Sequence, residues 1–141
     1  MPEVFVDSAC YIALINRRDQ DHQIAVDRFE ELRNRTGWFF VTSHAVIFEV
    51  LAFYSRSGPE LRDSAARFVQ RLRLSPRTTI LPITHALFEE ALDLFERRLD
   101  QRCSLADCSS MVIASSRGIT NVLTTDTDFR VEGFTILMRD Q

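Results

Sequence analysis

Residues 4–15 read VFVDSACYIALI, and this stretch decides the fold. The run Val4–Val6 is β-branched and aromatic, which predicts a short buried strand. Asp7 ends the run, and residues 8–15 continue directly with helix-compatible spacing. A carboxylate therefore stands at the C-terminal end of the first strand, which is the edge of an open α/β sheet where ligands bind.

Short apolar runs alternate with amphipathic segments along the rest of the chain. The runs predict further strands at residues 38–41, 78–81, 121–124 and 134–137. The amphipathic segments predict helices at residues 8–15, 22–34, 44–55, 60–74, 85–100 and 105–117. Residues 125–133 read as a polar loop with one helical turn. Five strands alternating with helices predict an α/β fold in three layers, with a five-stranded parallel sheet flanked by helices on both faces.

Composition predicts one globular domain over residues 1–141. Apolar residues make up 45% of the chain and charged residues 26%, and no linker, repeat or low-complexity segment divides it. The longest apolar stretch, Ala45–Tyr54, is too short to span a membrane, and no signal peptide is evident. Three cysteines without C-x-x-C spacing argue against a disulfide framework or a zinc site and fit a reducing compartment. We therefore expect a cytoplasmic protein.

The charge pattern leaves a phosphate-rich substrate open. The formal net charge is −3, and all 17 cationic residues are arginine. An all-arginine inventory is equally explained by the base composition of the genome. If a bound metal neutralised the acidic cluster described below, the rest of the chain would be net positive, so overall acidity does not exclude a nucleic acid.

Glu49 stands alone in the predicted helix at residues 44–55. That helix is apolar on nearly all sides, which indicates that it is buried. A buried carboxylate without a partner is unfavourable, so Glu49 needs an arginine, a hydrogen-bond network or a metal ion. A structural salt bridge and a metal ligand both remain open for this residue.

Asp107 and Asp126 also stand at the ends of predicted elements. Asp107 follows Ser104 by three residues in the first turn of a helix, which is the pattern of a capping box, and capping is compatible with metal ligation. Asp126 follows the strand at residues 121–124, as Asp7 follows the first strand. Asp128 is either a fifth metal ligand or a residue that contacts the ligands from outside.

These acids are predicted to share one edge of the sheet, where they would repel one another without a cation. Carboxylates without a Cys/His pair favour hard ions, Mg²⁺ or Mn²⁺. The three histidines have no ligand spacing. The predicted metal-binding acids are Asp7, Glu49, Asp107 and Asp126.

Together these segments resemble the PIN domain, and in particular the short single-domain toxins of the VapBC toxin–antitoxin type. The resemblance rests on residues 6–8 (VDS), Glu49, residues 104–107 (SLAD) and residues 124–129 (TTDTDF), and it covers the whole chain in length and order of elements. It implies a metal-dependent ribonuclease on a five-stranded parallel sheet. It also implies an RNA substrate, a cognate antitoxin and a homodimer.

The resemblance also assigns roles to individual residues. The residues that match the family's catalytic, metal-binding acids are Asp7, Glu49, Asp107 and Asp126. Asp128 matches a position that is often acidic, and Ser8 and Thr125 match small hydroxyl positions beside the metal. Hydrolysis of a phosphodiester agrees with both the resemblance and the acidic cluster. The candidate arginines for positioning the substrate are Arg17, Arg18 and Arg102.

Other classes of protein fit the sequence less well. A receiver-type phosphoacceptor would need a lysine after the last strand, and the chain has no lysine. A ribonuclease-H-type fold begins with antiparallel hairpins, whereas here Asp7 leads straight into a helix. Two alternatives stay open: a non-catalytic PIN-like module that binds RNA or protein, and an RNA-processing PIN nuclease that is not a toxin.

Overall fold

The computed structural model describes residues 2–35 and 37–139, and these form a five-stranded parallel sheet with the strand order β3-β2-β1-β4-β5. The strands are β1 (Glu3–Val6), β2 (Phe39–Ser43), β3 (Thr78–Leu81), β4 (Asn121–Leu123) and β5 (Thr135–Ile136). The helices are α1 (Ser8–Ile15), α2 (His22–Arg33), α3 (His44–Tyr54), α4 (Pro59–Leu74), α5 (His85–Arg97) and α6 (Leu105–Ser116). A 3-10 helix covers Thr127–Glu132. The predicted α/β fold is confirmed.

The strand order places a switch point between β1 and β4. The chain leaves β1 toward β2 on one side and leaves β4 toward β5 on the other. The two connections therefore depart in opposite directions and open a crevice at the C-terminal ends of these neighbouring strands. Ligands of open α/β sheets bind in such a crevice. Asp7 follows β1 at this point.

The central strand is buried from end to end, as the apolar run predicts. Val4, Phe5 and Val6 have no exposed surface, and they lie in one hydrophobic core cluster with side chains from the surrounding helices. α1 packs against α2 and α3, while α5 packs against α6. α3 also contacts α6, which brings the helix of Glu49 next to the helix of Asp107.

The predicted element boundaries differ from the structure by a few residues. β2 continues to Ser43 instead of stopping at Val41, because residues 42 and 43 still pair with Ile80 and Leu81 of β3. β5 is shorter than the predicted 134–137, since only Thr135 and Ile136 pair with β4. β4 ends at residue 123, α5 ends at residue 97 and α6 ends at residue 116. None of these shifts moves an acidic candidate to another edge of the sheet.

Arg77 links several chain segments at the edge of the sheet opposite Asp7. Its guanidinium donates hydrogen bonds to the carbonyl of Trp38 (2.8 Å from Nε), to that of Arg35 (3.2 Å) and to that of Arg33 at the end of α2. It also lies over the ring of Phe40, 6.0 Å from the ring centroid. One side chain thus satisfies carbonyls of α2 and of the segment that leads into β2.

The helices in the described residues are all too short or too polar to cross a lipid bilayer. The single domain predicted over residues 1–141 stays a prediction, although the described residues share one sheet.

Candidate metal centre

Asp7 lies in the crevice at the switch point and is only 3% exposed. Its backbone N–H donates to the carbonyl of Leu123 (3.1 Å), which holds the end of β1 against β4. Its Oδ2 accepts a 2.8 Å hydrogen bond from the hydroxyl of Thr124. Its Oδ1 is buried and has no hydrogen-bond partner within residues 2–35 and 37–139. A buried carboxylate oxygen without a partner is unfavourable unless a cation or proton satisfies it.

Glu49 reaches the same crevice from α3. The cap of this helix is Ser43, the last residue of β2, whose side chain accepts a 3.3 Å hydrogen bond from the N–H of Val46. Burial, and next the charge of Asp107, raises the pKa of Glu49, while a hydrogen bond from Ser8 lowers it. Glu49 takes part in no ion pair with the described residues, so a structural salt bridge does not account for its burial.

Asp107 completes the cluster from the first turn of α6, and the predicted capping box is present there. The Asp107 N–H donates to Oγ of Ser104 and the Ser104 N–H donates to Oδ2 of Asp107, both at 3.0 Å. Oδ1 of Asp107 takes no part in the cap. One carboxylate can therefore cap the helix and bind a cation at the same time.

The carboxylates of Asp7, Glu49 and Asp107 converge. One oxygen from each lies within 4.8 Å of the other two. Burial, and next the charge of Asp107, raises the pKa of Asp7 to about 7, while burial is the main cause that raises the pKa of Asp107. Three acids at this spacing disfavour one another's ionised forms unless a positive charge lies between them.

The donor set fits a hard divalent cation. All three residues offer carboxylate oxygens, which Mg²⁺ and Mn²⁺ favour. The buried Oδ1 of Asp7 is an oxygen that the protein itself does not satisfy. These two observations support Asp7, Glu49 and Asp107 as the residues that would hold the ion.

Asp126 lies near this cluster, but its carboxylate has another partner. It caps the 3-10 helix, because its Oδ1 accepts a 2.9 Å hydrogen bond from the N–H of Asp128. Asp126 is outside the group whose oxygens lie within 4.8 Å of one another, yet its charge contributes to the raised pKa of Glu49 and of Asp107. The structure thus brings three of the four predicted acids together. The roles of Asp126 and Asp128 as ligands stay predictions.

Thr124 is the residue of this site that sequence reasoning missed. It is fully buried directly after β4, and besides donating to Asp7 it accepts a 3.1 Å hydrogen bond from the N–H of Asp126. The segment TTDTDF contains the signal, since Thr124 is the first residue after the strand next to β1. The sequence prediction instead chose its half-buried neighbour, Thr125.

The candidates for positioning the substrate are divided between the two ends of the sheet. Ser8 lies at the cluster, directly after Asp7 in sequence, and its side chain lowers the pKa of Glu49. Arg102 is exposed two residues before the capping Ser104, at the same helix end as Asp107. Arg17 and Arg18 follow the C-terminal end of α1, whereas Asp7 precedes its N-terminal end. An eight-residue helix of about 12 Å separates them from the cluster.

Comparisons with known proteins agree with this architecture. The structure is similar to that of VapC20 from Mycobacterium tuberculosis, a toxin described as cleaving the sarcin–ricin loop. The two share 25% identity and a TM-score of 0.82, and the match covers 94% of this chain and 96% of VapC20. No curated protein matches the sequence significantly.

Two less similar structures show the same fold. VapBC2 from Rickettsia felis, bound to a promoter DNA fragment, matches with 12% identity and a TM-score of 0.66, covering 95% of this chain and 96% of that one. FitAcB from Neisseria gonorrhoeae matches with 16% identity and a TM-score of 0.60, again covering 95% and 96%. The sequence itself matches the PIN domain over residues 4–133, nearly its whole length. The chain therefore belongs to the PIN domain family, a family of nucleases.

Proposed function

We propose that this protein is a Mg²⁺- or Mn²⁺-dependent ribonuclease that hydrolyses RNA phosphodiester bonds and serves as the toxin of a type II toxin–antitoxin pair. The observation that carries the proposal is the convergence of three carboxylates at the switch point of the sheet, with the Asp7 Oδ1 buried and unsatisfied. Membership of the PIN domain family supports the same activity, and so does the similarity to VapC20, a toxin described as cleaving the sarcin–ricin loop.

Three residues of the chain would hold the cation at this site. Asp7 supplies a carboxylate oxygen from the position after β1, Glu49 supplies one from α3, and Asp107 supplies one from the start of α6. A divalent cation bound here would polarise the scissile phosphate and lower the pKa of a water molecule. Hydrolysis then joins the water oxygen to phosphorus, breaks one ester P–O bond and transfers a proton to the leaving oxygen.

The surroundings of the cluster are suited to a phosphate backbone. Arg102 is exposed beside the N-terminal end of α6, where helix N–H groups also favour negative charge. An arginine and a helix end are typical phosphate contacts that position a nucleic acid without reading its bases. We therefore expect Arg102 to contribute to RNA affinity, and Arg17 and Arg18 to contribute less because they lie at the far end of α1.

Partner proteins form part of the proposal. The similar structures include VapBC2, a complex with DNA from its promoter, which supports a cognate antitoxin for this chain. A neighbouring reading frame for a small DNA-binding protein would identify that antitoxin. Its co-expression should abolish RNA cleavage and relieve any growth arrest. The homodimer and the cytoplasmic location stay predictions.

A cleavage assay tests the activity. Purified protein is incubated with labelled RNA and Mn²⁺ or Mg²⁺, with and without chelator, and with single-stranded DNA as a second substrate. We expect metal-dependent RNA cleavage that is lost in Asp7→Asn and Asp107→Asn. The matched control is Asp93→Asn, an exposed carboxylate on α5 that pairs with Arg97 and should leave cleavage unchanged.

Other results of these experiments would favour one of the two alternative functions or contradict the proposed site. RNA binding without cleavage by the wild type would favour the non-catalytic binding module. Cleavage without growth arrest when the protein is expressed alone in bacteria would favour an RNA-processing nuclease that is not a toxin. Equal cleavage by wild type and Asp7→Asn would contradict the proposed site.

A further inference from the structure

A chain of hydrogen bonds links the metal-facing carboxylate of Asp7 to the loop after β4. The Thr124 hydroxyl donates to Oδ2 of Asp7 at 2.8 Å and accepts from the N–H of Asp126 at 3.1 Å. Oδ1 of Asp126 in turn accepts from the N–H of Asp128 at 2.9 Å. We refer to Asp7, Thr124, Asp126 and Asp128, joined in this way, as the Thr124 relay.

The relay determines which oxygen of Asp7 is available to a cation. Because the hydroxyl of Thr124 occupies Oδ2, the carboxylate is held with its Oδ1 unsatisfied. Thr124 has no exposed surface, so water cannot replace its hydroxyl there. A hydroxyl has a single proton, and the N–H of Asp126 occupies the acceptor side of the Thr124 oxygen, so the proton is directed toward Asp7.

Asp126 enters the relay through its backbone and not through its carboxylate. Its carboxylate caps the 3-10 helix Thr127–Glu132, which fixes the direction of the loop and therefore of the Asp126 N–H. The neutral amide of asparagine offers the same Oδ1 acceptor to a backbone N–H. The contribution of Asp126 to the site should then depend on the cap and only weakly on its charge.

We propose that Thr124 is a positioning residue that orients Asp7 toward the metal, and that Asp126 supports the site through Thr124 instead of binding the ion directly. This inference rests on the proposed function, because it assumes a cation at the three-carboxylate cluster. It assigns a role to a residue outside the predicted acids, and it changes the role predicted for one of them.

Isothermal titration of Mn²⁺ at neutral pH tests Thr124. Thr124→Val keeps the shape but removes the hydroxyl, and we expect the metal affinity to fall by about 10-fold, as for other partners of metal-binding side chains. Thr124→Ser restores the hydroxyl and should bind nearly as well as the wild type. The matched control is Thr127→Val, at an exposed threonine that begins the 3-10 helix after Asp126. Wild-type affinity in Thr124→Val, or equal losses in the Val and Ser variants, would overturn the proposal.

The same titration distinguishes the two roles of Asp126. Asp126→Asn keeps the cap, so we expect its affinity to fall less than about fivefold, the size of a charge effect near a protein surface. Asp126→Ala loses the cap and should resemble Thr124→Val. Asn and Ala variants that lose metal binding equally would identify Asp126 as a ligand and overturn this part of the proposal.

Hydrogen exchange provides a readout that needs no metal. The Asp126 amide should exchange slowly in the wild type and in Thr124→Ser but quickly in Thr124→Val, because valine offers no acceptor. Equally fast exchange in all three proteins would overturn the relay. A wild type that takes up no Mn²⁺ would instead overturn the proposed function, and this exchange pattern would still decide whether the relay exists.

Discussion

Ser104 and Asp107 exchange two 3.0 Å hydrogen bonds at the start of α6, and the same Asp107 carboxylate belongs to the three-acid cluster. The cap uses Oδ2 and therefore restricts the rotamer of the carboxylate that belongs to the cluster. A local helix-capping motif thus positions a candidate metal ligand whose neighbours in the cluster lie far away in the sequence.

Removing the Ser104 side chain should affect both stability and metal binding. Ser104→Ala deletes the acceptor for the Asp107 N–H, which we expect to cost about 1 kcal/mol of unfolding free energy. The backbone N–H of Ser104, which alanine keeps, does most to lower the pKa of Asp107, and the Ser104 side chain lowers it further, so its loss should weaken Mn²⁺ binding modestly at neutral pH. Urea unfolding and calorimetric titration measure the two effects.

Thr84→Ala is the matched control for this change. Thr84 caps α5 by accepting a 3.1 Å hydrogen bond from the N–H of Leu87, on a helix that contributes no acid to the cluster. Its loss should cost a similar amount of stability and leave Mn²⁺ affinity unchanged. If both variants weakened metal binding to the same degree, general destabilisation would be the explanation.

Neutralising Glu49 should stabilise the protein when no metal is bound. Glu49 lies beside Asp107 and Asp7, and these charges disfavour one another. We expect Glu49→Gln to raise the metal-free melting temperature by about 2–4 °C, while Glu90→Gln, an exposed change on α5, leaves it unaltered. Saturating Mn²⁺ should reverse the order, because only the wild type gains stability from the ion. A lower metal-free melting temperature in Glu49→Gln would contradict the repulsion.

The stability of the metal-free protein should depend on the protonation of Asp7. Burial raises its pKa from the ordinary value of 3.8 to about 7 in the folded protein, so between these values the folded state holds a proton that the unfolded state releases. Stability from Asp7 is therefore greatest below pH 4 and declines as the pH rises toward 7. Urea unfolding from pH 5 to pH 8 should show this decline in the wild type, and a flatter profile in Asp7→Asn would confirm its source.

Metal affinity should show the opposite dependence on pH. Binding at Asp7 displaces its proton, so the apparent Mn²⁺ affinity should rise by about tenfold per pH unit below pH 7 and level off above it. Titrations in buffers of different ionisation enthalpy would measure the released proton directly. An affinity that stays constant from pH 5.5 to pH 7 would show that Asp7 is already ionised without the metal.

Arg77 should contribute to stability without affecting the metal centre. Arg77→Ala leaves the carbonyls of Arg33, Arg35 and Trp38 without their donor. Because water can reach the first two, we expect a cost of about 1 kcal/mol. Arg77→Lys should rescue little, because an ammonium cannot reproduce the planar fork. Arg73→Ala, which loses only a bond to Gln70 on its own helix, serves as the control for unfolding experiments. Full rescue by lysine would contradict the geometric explanation.

The sequence predicted most of the fold because local patterns encode it. Apolar runs and capping residues identified the strands and helices, and the position of Asp7 after β1 identified the edge of the sheet where the carboxylates converge. Glu49 was found because it was the one charge in an apolar helix. Thr124 was missed because its importance depends on Asp7, a residue 117 positions away that only the pairing of β1 with β4 brings near. Sequence spacing alone likewise could not show whether Asp126 caps the 3-10 helix or binds a metal ion.

The placement of β1 between β2 and β4 also determines when the site can exist during synthesis. Asp7 leaves the ribosome before Asp107 and Thr124, which follow it far along the chain. A nascent chain that ends before residue 107 lacks one of the three carboxylates, whatever structure it has reached. Because β1 lies next to β4, the three-carboxylate cluster draws on residues that are far apart in the chain and stays incomplete until Asp107 has been synthesised.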